Sequence, residues 1–350
     1  MKNKKRLILL LSAVFIMSLT LNVVAHEETP PGQYITLVDE NNNTILKTSR
    51  KIYIGDEYIS ADNSRYKVIE VIGDKAMCSY VGKEKMPVIN FTQEAKAGVF
   101  PSDAALVAEG KDKSTIAIYV THSDESYVPS DGKASIDGDG GIYDVAKSFK
   151  ERLEAHGFKV QYSEENHNPN DINAYNRSRK TAATLLKKNP AAIFDVHRDA
   201  IPPEEYESTV KDKDVTQIKL VVGRTNPNSN SNLEYAKRIK SAMDQQKPGL
   251  SNGILLGKGD YNQDLSPRAM LIEVGAHKNH KEEAIEGVKQ FADIMPAVLG
   301  ESTTDNNAPA KKPVKDNQGA GKTIIIILVV LGVAIGGFYL LNKGPSDSNG

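Results

Sequence analysis

The chain has 350 residues, and its 44 lysines and arginines are balanced by 45 aspartates and glutamates. Nucleic-acid-binding proteins usually show a basic excess or a basic stripe, so this balance argues against that class of partner. The only cysteine, Cys78, excludes both an intramolecular disulfide and a zinc site built from cysteines. A chain of this length can form two domains and bury a substantial core in at least one of them.

The N-terminal residues carry a targeting signal. Basic side chains precede an apolar stretch over residues 7–24, and the sequence VVA (residues 23–25) supplies the small residues that a signal peptidase reads. The apolar stretch is also about long enough to span a bilayer. Residues 1–25 are therefore predicted to be a signal peptide or an N-terminal anchor, and both interpretations place the following residues outside the cytoplasm.

Residues 33–81 are predicted to form a small all-β module. Short runs such as YITLVD and RYKVIEVIG alternate apolar with polar residues, and turn sequences such as NNN and GD separate them. No residue type in this stretch points to chemistry, so the module is expected to bind a partner or to act as a spacer. Residues 82–112 are predicted to connect it to the next domain.

Residues 113–300 alternate strand and helix patterns, which predicts an α/β fold with an open, mostly parallel or mixed sheet and helices on both faces. The predicted strands cover residues 114–120, 158–162, 191–196, 217–223 and 268–275, and the predicted helices cover residues 143–157, 172–189, 232–246 and 281–299. In such sheets, ligands bind beyond the carboxyl ends of the strands.

The C-terminal residues predict attachment to a membrane. Residues 301–322 have almost no large apolar side chains and are expected to form a flexible tether. Residues 323–341 are uncharged and long enough to cross a bilayer, so we predict a transmembrane helix followed by a short tail over residues 342–350. The expected location is the cell membrane, with the domain at residues 113–300 on the extracytoplasmic side.

Polar side chains interrupt three apolar strands near their carboxyl ends. His122 and Glu125 follow the first strand, His197 ends another, and Glu273 lies inside the apolar sequence MLIEVG. Parallel strands would bring these groups to one edge of the sheet, where two imidazoles and a carboxylate match the ligands of a catalytic zinc ion. A further carboxylate can then act as general base.

Each of these residues also has a simpler interpretation. A single histidine at a strand end is usually just the first polar residue of a loop, Glu125 could cap a turn, and His277 and His280 are expected to lie in a surface loop. Asp195 shares a strand face with His197, because side chains alternate along a strand. It could orient the imidazole by a hydrogen bond, or it could be a structural carboxylate.

Three motifs resemble the stage II sporulation protein P family of peptidoglycan hydrolases: THSDESY (residues 121–127), FDVHRD (194–199) and YNQDLSPRAMLIEVGAHKN (261–279). The resemblance covers roughly residues 114–295 and leaves the β module outside. It implies the fold of zinc-dependent N-acetylmuramoyl-L-alanine amidases. It also implies cleavage of the bond between muramic acid and L-alanine, and of cross-linking peptides, outside the cytoplasm.

The resemblance also implies individual roles. By motif, His122, Glu125 and His197 match the metal ligands, and Glu273 matches the catalytic glutamate. Related amidases place the carboxylate ligand further along the chain, which makes Asp139 or Asp144 the alternative ligand. Arg179 and Arg198 are candidates for binding substrate carboxylates. Zn²⁺ is the implied cofactor, and wall-remodelling proteins such as a stage II sporulation protein D-like glycan hydrolase are the implied partners.

These observations predict a membrane-tethered, zinc-dependent peptidoglycan amidase. One alternative is another zinc hydrolase of the cell wall, such as a peptidase or a deacetylase. A second alternative is a non-catalytic protein that binds the wall. The C-terminal span departs from the family pattern of N-terminal anchoring, which bears on the role in sporulation and leaves the chemistry unchanged.

Overall fold

The computed structural model describes residues 28–29, 32–89 and 112–300. The predicted signal, tether, transmembrane helix and tail, and most of the connector, lie outside these residues. Within the described ranges, no helix is both long and apolar enough to span a bilayer.

The α/β part of the chain has the predicted order of elements, with small shifts at their ends. Its strands are β6 (Asp112–Tyr119), β7 (Lys159–Tyr162), β8 (Pro190–Asp199), β9 (Glu207–Val210), β10 (Lys213–Thr216), β11 (Ile218–Gly223), β12 (Ser251–Gly257) and β13 (Ala269–Ala276). Its helices are α1 (Val128–Asp131), α2 (Ile142–Ala155), α3 (Ala174–Leu186), α4 (Ser229–Gln246) and α5 (Lys281–Gly300). The short helix α1, strand β12 and the antiparallel β9–β10 hairpin were not predicted from the sequence.

The sheet of this part is mixed, as predicted, in the order β12-β11-β13-β8-β6-β7. Strands β6, β7, β8 and β13 run parallel to their neighbours within this group, and β11 pairs with β13 in the antiparallel direction. Strand β8 is buried along its whole length and continues to Asp199, beyond its predicted end. The polar residues at that end therefore lie within the sheet.

The N-terminal strands extend the same sheet. They are β1 (Ile35–Val38), β2 (Thr44–Thr48), β3 (Glu57–Ile59), β4 (Ser64–Ile72) and β5 (Lys75–Lys83). Strand β3 pairs with β12 in the antiparallel direction, which completes a sheet of 11 strands. The β region predicted at residues 33–81 is thus present and is hydrogen-bonded to the α/β part.

Helices cover both faces of the α/β sheet. On one face, Phe149 of α2 and Phe291 of α5 pack against Phe194 of β8, with ring centroids 5.4 and 5.8 Å from the Phe194 ring. On the other face, Ala182 of α3 packs against the outward side chains of β6 and β8. The first face holds the main apolar core. The second face therefore carries the polar side chains of the alternating strands.

Candidate active site

Three adjacent strands deliver the candidate site residues. Strands β6 and β13 both pair in parallel with β8, so their carboxyl ends lie at one edge of the sheet, as the sequence predicted. His197 of β8 lies directly opposite Glu273 of β13 in the strand register. His122 follows shortly after β6 ends at Tyr119. These side chains lie on the side of the sheet opposite the main apolar core.

His122, Glu125 and His197 form a cluster that could hold a metal ion. The Nδ1 atoms of the two histidines lie 2.9 Å (His122) and 3.4 Å (His197) from the Glu125 Oε1 atom. The candidate ligand atoms all lie within 4.8 Å of one another, and the three residues are buried. The two imidazole rings are 4.7 Å apart and nearly perpendicular. One partly buried carboxylate, Glu28, also approaches His122, with 3.5 Å between its Oε1 atom and Nδ1.

Glu125 is fixed by its main-chain surroundings. Its Oε2 atom accepts a hydrogen bond of 2.9 Å from the Arg198 main-chain N–H. Gly140 lies so close to the backbone of residues 123–125 that an added Cβ atom would overlap it. Burial raises the pKa of Glu125, but the positive charges of His197 and Arg198 outweigh burial and hold this pKa well below its usual range. Glu125 is therefore an ionised carboxylate that faces two imidazoles.

The two alternative carboxylates lie elsewhere. Asp144 is in the first turn of α2, where it accepts a hydrogen bond of 2.6 Å from Lys281 and is largely exposed. Asp139 is exposed in the preceding loop. Among the described residues, the structure groups Glu125, and neither aspartate, with the two histidines.

Asp195 lies beside His197, as the alternation of side chains predicted. Its Oδ1 atom is 3.0 Å from His197 Nε2 and accepts a hydrogen bond of 2.9 Å from the main-chain N–H of Thr121, and its Oδ2 atom accepts one of 2.6 Å from the Thr121 hydroxyl. Burial lowers the pKa of His197, but Asp195 and Glu125 outweigh burial and raise this pKa well above its usual range. Two carboxylates thus flank one imidazole, which makes the site attractive to a cation.

The chemistry of this donor set fits a divalent transition metal. Two imidazole nitrogens and a carboxylate oxygen are the ligands that catalytic zinc sites use. Both ring nitrogens of His197 are buried, and neither makes a hydrogen bond of acceptable geometry within the described residues. With Nε2 toward Asp195, the Nδ1 atom of His197 is turned toward Glu125 and His122, which is the arrangement of a ligand oriented by an outer carboxylate.

Glu273 is buried and paired with an arginine from the N-terminal strands. Its Oε1 atom accepts hydrogen bonds from Arg50 Nε (2.9 Å) and Arg50 Nη2 (2.6 Å). Its Oε2 atom is buried and has no hydrogen-bond partner among the described residues. Burial raises the pKa of Glu273, and Arg50 offsets only part of that increase.

The remaining predicted residues make structural contacts. Arg179 binds both carboxylate oxygens of Asp264, at 2.7 and 2.5 Å, and so holds the YNQDLSP loop. The guanidinium of Arg198 donates to the carbonyl oxygens of residues 126 and 134, at 3.2 and 2.8 Å. Their roles in substrate binding stay predictions. His280 is exposed, and His277 is half-buried, with its pKa lowered to about 4 by burial and nearby positive charges.

Sequence reasoning missed Arg50 and its neighbour Ser49. Ser49 donates hydrogen bonds of 3.0 Å from its main-chain N–H and 2.7 Å from its hydroxyl to Asp199 Oδ1. Both residues follow strand β2, in the sequence TILKTSRK. His197 was identified because it ends a buried apolar strand. Strand β2 is only partly buried and already contains polar residues, so Ser49 and Arg50 gave no comparable signal, and the region shows no other sign of chemistry.

Comparison with curated proteins identifies a relative of the chain. The chain is 29% identical over 216 residues to stage II sporulation protein P of Bacillus subtilis (strain 168), a match that includes 56% of this chain and 54% of that protein. The chain therefore aligns with about half the length of its curated relative.

Solved structures of amidases also resemble the chain, at low similarity. N-acetylmuramoyl-L-alanine amidase AmiC2 of Nostoc punctiforme is 14% identical to this chain in sequence. The structural match has a TM-score of 0.34 and covers 54% of this chain and 97% of the amidase chain. The CwlD amidase of Clostridioides difficile, solved in complex with the GerS lipoprotein, is 16% identical to this chain. That match has a TM-score of 0.36 and covers 53% of this chain and 95% of the CwlD chain.

A sequence model of the family described as stage II sporulation protein P (SpoIIP) matches residues 37–296. This match includes strands β2 to β5 and the end of β1, so the expectation that the N-terminal strands lie outside the region of resemblance is wrong. It covers well over half of the 350 residues and contains every residue of the candidate site described above except Glu28. The chain therefore belongs to the stage II sporulation protein P family.

Proposed function

We propose that this protein is a zinc-dependent peptidoglycan hydrolase that cleaves the amide bond between N-acetylmuramic acid and L-alanine. The observation that carries the proposal is the buried His122–Glu125–His197 cluster, with Glu273 opposite His197 on the adjacent strand. Family membership and the motif resemblance support peptidoglycan as the substrate. Cleavage of cross-linking peptides is the same amide hydrolysis at a different bond, and we include it in the proposal.

The three clustered residues would hold the metal, and Asp195 would orient His197. A zinc ion bound there would act as a Lewis acid that polarises the scissile carbonyl group and lowers the pKa of a water molecule. Glu273 is the residue that moves the proton, because its Oε2 atom is unbonded among the described residues and its pKa is raised by burial. A general base works best when its pKa lies near the working pH.

The proposed reaction conserves atoms and charge. The oxygen of water bonds to the carbonyl carbon, and Glu273 accepts a proton from that water. The carbon–nitrogen bond then breaks, and Glu273 passes the proton to the departing nitrogen. The second proton of the water moves from the new carboxylic acid to the amine. The products are the carboxylate of the muramic acid lactyl group and the protonated amino group of L-alanine.

We propose that the protein acts at the cell membrane, with the hydrolase on the extracytoplasmic side. The N-terminal targeting signal, the tether at residues 301–322 and the apolar stretch at residues 323–341 support this location. A role in sporulation follows from the family, and other wall-remodelling proteins, such as a stage II sporulation protein D-like glycan hydrolase, are the proposed partners.

Digestion of purified cell wall by the full-length protein tests this function. We expect free L-alanine amino groups to appear, together with about one bound zinc ion per chain. His122→Ala and His197→Ala should lose both the zinc and the activity, because each removes one of three protein ligands. His280→Ala, a change at an exposed histidine, is the matched control and should keep both.

The same digest separates the alternatives. New amino termini within the peptides would indicate a peptidase, and released acetate would indicate a deacetylase. An intact wall after incubation with the zinc-loaded protein would indicate a binding protein without hydrolase activity. Full activity in either ligand variant would contradict the metal assignment.

A further inference from the structure

Arg50 is carried to the candidate site by the N-terminal strands. It follows β2, and its neighbour Ser49 is bound to Asp199, at the carboxyl end of β8, by two hydrogen bonds. The side chain of Arg50 is 1% exposed. The segment that bears Arg50 is thus fixed to the catalytic edge of the sheet by contacts that do not involve Glu273.

The guanidinium of Arg50 is held on several sides. Its Nη1 atom is 3.4 Å from the hydroxyl of Tyr175, and its Cζ atom lies 5.3 Å from the centre of the Tyr261 ring. The backbone of Arg50 is held as well, because its main-chain N–H donates a hydrogen bond of 3.2 Å to the Thr48 hydroxyl. A planar guanidinium held in this way presents its N–H groups in one fixed direction.

The contact between Arg50 and Glu273 is asymmetric. Both Nε and Nη2 donate to the same carboxylate oxygen, Oε1, at 2.9 and 2.6 Å. A pair built for stability alone would be expected to use both oxygens, as Arg179 and Asp264 do. Instead, Oε2 is left buried without a hydrogen bond within the described residues, which is costly unless that oxygen has a task.

We infer that Arg50 is a positioning residue of the active site, which fixes Glu273 through Oε1 so that Oε2 is free to take and return the proton. This inference rests on the proposed function and deepens it, because it assigns a role to the N-terminal strands. Arg50 would hold Glu273 in the geometry that the reaction needs before the substrate binds. Displacement of such a pre-organised catalytic group by about 1 Å can lower the rate roughly 100-fold.

Arg50→Gln and Arg50→Lys in the full-length protein test this role. We measure kcat and KM on soluble, uncross-linked glycan-peptide fragments, together with zinc content and thermal unfolding. Arg50→Gln should lower kcat by roughly 100-fold, while KM and zinc content stay within about 3-fold of the parent values. Arg50→Lys keeps the charge but loses the planar pair of donors, so its kcat should lie between those of Arg50→Gln and the parent.

Arg65→Gln is the matched control. Arg65 lies on β4, in the same N-terminal region, and is partly buried in ion pairs of 2.5 Å with Glu57 and 2.7 Å with Glu84. Its removal breaks an arginine–carboxylate contact of the same kind away from Glu273. We expect kcat, KM and zinc content to match those of the parent.

Several outcomes would overturn the inference. A parent-like kcat in Arg50→Gln would mean that Glu273 does not depend on Arg50, and a raised kcat would mean that Arg50 blocks the base. Loss of zinc, or unfolding of both Arg50 variants, would make Arg50 a structural residue. If the parent itself releases no L-alanine amino groups, the proposed function fails, and this inference fails with it; an active parent with an equally active Arg50→Gln variant overturns this inference alone.

Discussion

Three carboxylates near the strand ends have different surroundings, which shift their pKa values in different directions. The imidazole of His197 and the guanidinium of Arg198 keep the pKa of Glu125 low despite burial. Burial likewise raises the pKa of Asp199, but the Lys219 ammonium group brings it down to about 2. Of these three groups, Glu273 alone has a raised pKa, because burial dominates there. Environments that separate the pKa values of neighbouring acids assign them different tasks, so Glu273 is the candidate proton carrier.

Glu273→Gln distinguishes a general base from a ligand. The amide has nearly the same shape but cannot accept the proton of water, so we expect turnover to fall by roughly 10²–10⁴-fold. Zinc content and affinity for wall fragments should stay close to the parent values, because the lost interaction belongs to the transition state. Metal analysis and single-turnover rates on the full-length protein measure these quantities.

Glu282→Gln, on the exposed first turn of α5, is the control for this substitution and should behave as the parent does. Loss of zinc from Glu273→Gln would show that Glu273 is a ligand. Unchanged turnover with a lower melting temperature would show a structural carboxylate instead.

Among the elements, strands β6, β8 and β13 were predictable because each contains an apolar run with a polar residue near its carboxyl end. Their parallel alignment followed from the alternation of strands with helices. Strand β12 was missed because its sequence SNGILLG has only a short apolar run and no alternation. The pairing of Arg50 with Glu273 joins residues separated by 223 positions, and no local pattern in the sequence encodes such a contact.

The junction between β3 and β12 depends on a glycine. Gly253 has a φ of +91°, and an added Cβ atom would strike the Ile59 carbonyl oxygen and approach the Tyr58 hydroxyl to 2.9 Å. That hydroxyl donates a hydrogen bond of 2.7 Å to the Asn252 carbonyl oxygen. Close backbone contact at this point is what allows the N-terminal strands to pair with the rest of the sheet.

Gly253→Ala should therefore destabilise the protein by about 2–4 kcal/mol, through backbone strain and overlap with β3 together. Gly157→Ala is the matched control: its φ is +88°, but no atom lies within 4 Å of the added Cβ, so only the strain of about 1 kcal/mol applies. Denaturant unfolding of both variants measures the difference. Equal losses of stability would mean that β3 can move away from β12 at no cost.

At the scale of the whole molecule, the N-terminal strands and the α/β part share one sheet of 11 strands, and the family match runs across both. The division at residues 81–82 reflects a real change in sequence pattern, from alternating strands to strands and helices. The sequence pattern does not predict the hydrogen bonds between β3 and β12. Pairing at the edge of a sheet uses backbone groups and depends little on which side chains the strands carry. The fold class was thus predictable, whereas the way in which its two parts meet was not.

Helices on the main core face are joined by one carboxylate. Asp293 of α5 accepts hydrogen bonds from Arg152 of α2 at 2.6 Å and from Lys247, at the end of α4, at 2.8 Å, and His156 lies 2.9 Å away. Burial raises the pKa of Asp293, but these three partners outweigh burial and lower it from 3.8 to about 2. A carboxylate with a lowered pKa in the folded state adds stability above its unfolded pKa, and this stability is lost as the pH falls through the folded pKa.

Asp293→Asn should therefore reduce the free energy of unfolding by about 1–2 kcal/mol at pH 7, a value that allows for partial solvent screening of the side chain. The difference between variant and parent should shrink as the pH falls below about 4, and near pH 2, where about half of the parent carboxylate is protonated, it should be a small fraction of its value at pH 7. Denaturant unfolding at both pH values measures it, and Asp74→Asn, at an exposed aspartate of the β4–β5 turn, should show no such change. A difference that stays constant with pH would mean that the packing of α2, α4 and α5 depends on the shape of Asp293 and not on its charge.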